Sequence, residues 1–173
     1  MAMTPVQIRN VLLSCGVGAR YADFRISKDF PSMLKPYDRI NQIIADETNL
    51  IIEGPNDIGA LVFSAALALL RKDLFAVETA MMLHYLENND AEKLSPIYNC
   101  EILTLLSFCS AETGKASPYT QGQTHKIESF VRMMINQYDK TVIIRTTDET
   151  LPWFSKDFRS FYTSNVEVVK SLQ

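Results

Sequence analysis

The stretch NLIIEGPNDIGALVFSAALALLRK, residues 49–72, decides how this chain is read. NLIIE (49–53) is a short apolar strand candidate. IGALVFSAALALLRK (58–72) is a helical run too apolar for a surface helix, so it is expected to be largely buried. A strand, a glycine-bearing turn and a helix form the setting in which backbone N–H groups cradle a phosphate. Gly54 and Gly59 have the spacing of G-x-x-x-x-G-K-[ST], but Ala60 stands at the lysine position and Leu61 at the position of the Mg²⁺-binding hydroxyl. Asp57 adds a negative charge inside the loop. Taken alone, GPNDIG also reads as a plain strand-to-helix turn whose glycines serve backbone geometry.

Strand and helix patterns alternate on both sides of this stretch. Thr4 is placed to cap a helix through VQIRNVLLSC with Pro5 at its first position, ended by Gly16 and Gly18. ARYADFRISKDFPS (19–32) reads as loop, and MLKPYDRINQIIADE (33–47) as a helix after Pro36. LFAVE (74–78) reads as a strand, and TAMMLHYLENND (79–90) as a helix with Thr79 as its N-cap. CEILTLLSFC (100–109) reads as an apolar strand and SAETGKASPYTQG (110–122) as a polar loop. QTHKIESFVRMMINQYD (123–139) is an amphipathic helix with Ile127, Phe130, Val131, Met134 and Ile135 on one face. TVIIRTT (141–147) and VEVV (166–169) are strands, with mixed turn and helix over 149–162. This alternation predicts an α/β domain with a mainly parallel sheet of about five strands and helices on both faces. Residues 1–48 form an N-terminal helix, loop and helix, and 49–173 the α/β core, within one compact domain.

Composition narrows the function classes. The 173 residues suffice for a substantial core, with 47% hydrophobic and 21% charged residues and a net charge of -3. That balance gives no global basic signal for nucleic acid. Three cysteines without C-x-x-C spacing and two histidines indicate neither a disulfide framework nor a zinc site, and fit a reducing cytoplasm. MAMTPVQIRN lacks the pattern of a signal peptide, and the longest apolar run, Ala60 to Leu70, is too short to span a bilayer.

The chain resembles the DnaC/IstB-like branch of the AAA+ ATPases, the loaders of replicative helicases and helper ATPases of some transposons. The resemblance runs from about residue 12 to 170 and rests on motif order and spacing. GVGARYADFRISKDFP looks like the family's opening segment, and NLIIEGPNDIGALVFSAALALL like its Walker A strand, loop and helix. LFAVETAMMLHYLEN looks like its second strand and helix. ILTLLSFCSAE sits where the family has a Walker B strand of the form DLLVIDDLGAE, and the segment from Ile127 to Phe154 looks like the sensor-1 region. The departures are systematic. Ser107 and Phe108 replace the two Walker B acids, although Ala111 and Glu112 match the motif's end. The sensor Thr-Asn pair becomes Thr146-Thr147 or Thr147-Asp148.

The resemblance implies a P-loop, AAA+-type three-layer domain that has lost its chemistry. Phosphoryl transfer needs a lysine on the phosphates, a hydroxyl and a carboxylate on Mg²⁺, and a group orienting water. The first two are missing at every matched position, and Glu112 has no metal beside it. The expectation is no catalytic residue, no metal and no cofactor. The implied role is a non-catalytic accessory or decoy factor of DNA replication. Its expected partners are a replicative helicase, a helicase-loader ATPase or further copies of itself.

Other residues admit two readings. Lys115, Tyr119, Lys126 and Arg132 could form a small single-stranded DNA patch, or belong to a solvated helix face. Trp153, Phe154, Phe158, Phe161 and Tyr162 could cover the end of the sheet, with any excess forming a partner surface. Arg159 could be a remnant of the family's interface arginine. His84 and Cys109 read as packed or surface residues.

Overall fold

A computed structural model describes residues 4–16, 49–53, 74–106, 108, 117–145 and 153–170. The expected helices over 33–47 and 58–72 and the phosphate-loop positions Gly54, Gly59, Ala60 and Leu61 lie outside these residues. So do Ser107, Glu112, Lys115 and the Thr146–Asp148 pair positions.

Numbered along the described chain, the elements are α1 (Pro5–Ser14), β1 (Asn49–Glu53), β2 (Leu74–Glu78), α2 (Thr79–Glu87), α3 (Ala91–Asn99), β3 (Ile102–Leu106), α4 (Gln121–Asn136), β4 (Thr141–Arg145), α5 (Lys156–Asn165) and β5 (Val166–Lys170). The five strands form one sheet in the order β2-β3-β4-β1-β5, and every pairing is parallel. The α/β class and the parallel sheet are therefore as the alternation of patterns required.

The side chains of β2, β3 and β4 explain why a parallel sheet forms. Val77, Leu103, Leu105, Val142 and Ile144 join the core beneath α2, α3 and α4. Leu74, Ala76, Ile102, Thr104 and Ile143, on alternate positions, are buried as well. These strands are covered on both faces, which is why their sequence runs apolar without alternation.

Helix ends follow side-chain chemistry. Thr4 and Gln7 form a capping box at α1, with Pro5 at the first position, and Thr120 and Gln123 do the same at α4. α4 buries Ile127, Phe130, Val131 and Met134, with Ile135 partly buried against the same core. α1 ends at Cys15 and Gly16. Gly16 has φ +78°, and a Cβ there would lie 2.1 Å from the Ala76 carbonyl oxygen. Ala76 N–H donates to the Cys15 carbonyl at 2.7 Å, so the end of α1 is tied to the outer side of edge strand β2.

Three expectations need correction. Thr79 does not cap α2; Glu78 holds that position, and the Thr79 hydroxyl donates to the Leu106 carbonyl at 2.8 Å, binding the helix start to the end of β3. That helix stops at Glu87, because Asn88 and Asn89 turn the chain, Asn89 at φ 51°. Residues 91–99, assigned to no element from the pattern, form α3 although Pro96 lies inside it. Asp90 starts α3 by accepting from Lys93 N–H at 3.2 Å, and Leu94 and Ile97 anchor it in the core.

Candidate functional site

Parallel pairing sends the carboxyl ends of β1, β4 and β3 to the same edge of the sheet, and these three strands are neighbours. In open α/β sheets this edge is where ligands bind. The chain after β1 is the GPNDIG stretch, the chain after β3 carries Ser107 and Phe108, and the chain after β4 carries the expected sensor pair.

Of Ser107 and Phe108, the two positions expected to match a Walker B pair, Phe108 is the one that is described. Its ring is 1% exposed and stacks on Phe154, with centroids 5.1 Å apart and planes 11° from parallel. Phe154 packs in turn on Phe158 at 5.3 Å, and Phe158 on Phe161 and Tyr162. Phe154, Phe158 and Tyr162 are buried, and Trp153 and Phe161 are half-buried against the same core. The aromatic run after β4 thus folds over the end of β3 as a ladder of rings. A phenyl ring fits that site by burying apolar surface, and it offers no oxygen to a cation.

The ladder is bordered by charge. Arg132 of α4 lies over the Phe161 ring at 5.1 Å and the Phe158 ring at 5.9 Å. One turn earlier, Glu128 is buried and accepts from Ser155 N–H at 2.6 Å and from the Ser155 hydroxyl at 2.9 Å. Ser155 in turn caps α5, its Oγ accepting from Phe158 N–H at 3.1 Å and its carbonyl from Arg159 N–H at 3.0 Å. His125 Nδ1 stands 3.8 Å from the Glu128 carboxylate. Periodicity carried a clue to Glu128, since it sits on the edge of the apolar stripe beside Val131 and Ile135, where a solvated carboxylate is out of place.

The proposed DNA-contact residues are distributed differently. Lys126 Nζ pairs with Glu87 of α2 at 3.1 Å. Tyr119 lies in a groove of about 460 Å³ with Ala80, Leu83, His84, Glu87, Pro118 and Gln123. Arg132 points to the aromatic ladder, so Lys126 and Arg132 each have an intramolecular partner. Arg159 is exposed on α5. His84 is exposed with Asn88 Nδ2 3.2 Å from its Nδ1, as suits a surface residue.

At the opposite, amino-terminal edge of the sheet, Lys140 is buried and its ammonium donates to the Cys100 carbonyl. Burial pushes the Cys100 thiol up to about 11, against the smaller opposing pull of the Lys140 charge. Its Sγ–H donates to the Ile97 carbonyl at 3.1 Å.

Among the described residues no three His, Cys, Asp or Glu side chains converge as a metal site, and no helix is long and apolar enough to cross a membrane. No protein-family model matches the chain, and no curated protein matches it.

Proposed function

We propose that this chain is a non-catalytic AAA+-like protein of DNA replication, a helicase-loader-like accessory or decoy factor that works through protein–protein contacts. The observation that carries this reading is Phe108. The position that the resemblance gives to a Mg²⁺-directed acid holds a buried ring, stacked on Phe154. A buried phenyl cannot be exchanged for a metal-binding group without emptying part of the core. The neighbouring carboxyl ends of β1, β4 and β3 support the P-loop-like part of the reading. Burial on both faces of β2, β3 and β4 supports a three-layer arrangement. A replicative helicase, a loader ATPase or a further copy of the chain is the partner class, in the cytoplasm.

Calorimetric titration with ATP and ADP in the presence of Mg²⁺, with thermal melts and a phosphate-release assay, tests the loss of chemistry. The expected outcome is no heat, no shift and no turnover. Nucleotide at 100 times its dissociation constant would add about 2.7 kcal/mol, readily seen in a melt. Turnover above background would overturn the proposal. Light scattering of the chain mixed with a purified bacterial replicative helicase tests the partner, and a mixture that scatters as the unmixed components at micromolar concentration argues against it.

A further inference from the structure

We infer that Glu128 and Ser155 form a charge-sensitive latch that holds α5 and β5 as one releasable segment. α5 passes directly into β5, with Asn165 the last residue of one and Val166 the first of the other. β5 joins the sheet only through β1 among the described strands. At the segment's start Ser155 has two tasks. It caps α5 through Phe158 N–H and Arg159 N–H, and it gives its own N–H and O–H to Glu128 of α4.

Both oxygens of a nearly dry carboxylate are thereby occupied by donors from one neighbouring residue. Such charge-assisted bonds are stronger than neutral ones and respond steeply to the charge of the partner. Ser155 itself is exposed, so negative charge arriving at its hydroxyl meets a carboxylate that cannot turn to solvent. Of the cationic groups on the same helix, Lys126 pairs with Glu87, Arg132 lies over the Phe158 and Phe161 rings, and His125, 3.8 Å from Glu128, is 81% exposed and too solvated to offset that repulsion. Opening the latch would lift Phe158 from Phe154 and free the β1 edge, leaving β2, β3 and α2 in place. Local opening of this kind is the usual origin of regional exchange.

Three variants of the full chain separate the latch from ordinary helix capping, read by hydrogen exchange of the peptides covering 156–170. Glu128→Gln is expected to raise exchange there about tenfold, equivalent to about 1.4 kcal/mol, with β2, β3 and α2 unchanged. Ser155→Asp retains a side chain that caps helices as well as serine does, yet sets a second carboxylate against Glu128. It is expected to raise the same peptides at least as much. The double variant Glu128→Gln with Ser155→Asp is expected to recover most of the protection, since the repulsion is gone while the cap remains. Wild-type protection in Ser155→Asp, no recovery in the double variant, or a uniform rise across the chain would each overturn the latch. Should Ser155→Asp fail to fold, Ser155→Ala keeps the N–H bond to Glu128 and is expected to raise exchange about threefold in the same peptides. Unchanged exchange there would also overturn it.

Discussion

Gly16, Phe108 and Cys100 each convert a local geometry into a measurable response. Gly16→Ala forces a side chain into φ +78° and onto the Ala76 carbonyl. Urea unfolding is expected to show a loss of about 2–3 kcal/mol. Phe108→Ala removes a fully buried ring and is expected to cost about 3–5 kcal/mol. Phe108→Asp is the sharper change, because it sets a carboxylate at the position that the resemblance aligns with a Walker B acid. It is expected to destabilise more than alanine, since the charge is buried against Phe154, and to show no ATP hydrolysis in a phosphate-release assay. For Cys100 the sign is fixed by linkage. The folded thiol ionises near 11, above its usual value, so the unfolded chain loses this proton first as pH rises. Stability from this group is intact below about pH 9 and declines as pH rises through 11. Melts across pH 8–11 are expected to fall, and Cys100→Ala is expected to flatten that decline. At pH 8 the native Cys100 thiol is expected to resist alkylation that proceeds readily in denaturant.

At the scale of elements, what was legible depended on which force set each boundary. The start of α1 and the strand cores of β1, β2, β3 and β4 could be read because capping chemistry and apolar runs act locally. α3 could not, because Pro96 argues against a helix while Leu94 and Ile97, which hold it, reveal their value only once the core is assembled. Its dependence on Asp90 is testable. Asp90→Ala is expected to cost about 1 kcal/mol in chemical denaturation. Thr79 misled for a related reason, since its hydroxyl serves the end of a strand 27 residues away. Of the candidate site, the phenylalanine at position 108 was visible in the letters, but its stacking on Phe154 was not. Phe108 and Phe154 meet only through the parallel order of β3 and β4, a long-range pairing that no local pattern encodes.

For the molecule as a whole, strand order is the fact with the widest reach. Among the described strands, β2 and β5 lie at the two margins. On the β2 side, the carbonyl of Cys15 occupies the Ala76 amide. That bond sets the end of α1 as a stopper on the outer row of donors and acceptors of β2, the kind of row on which a foreign strand pairs. Deleting residues 1–16 is therefore expected to yield a chain that assembles into β-rich aggregates at concentrations where the intact chain stays dispersed, as thioflavin fluorescence and sedimentation would register. On that expectation, a helix peripheral to any chemistry would serve as a guard for solubility. Its glycine terminus is the part of the guard least open to substitution.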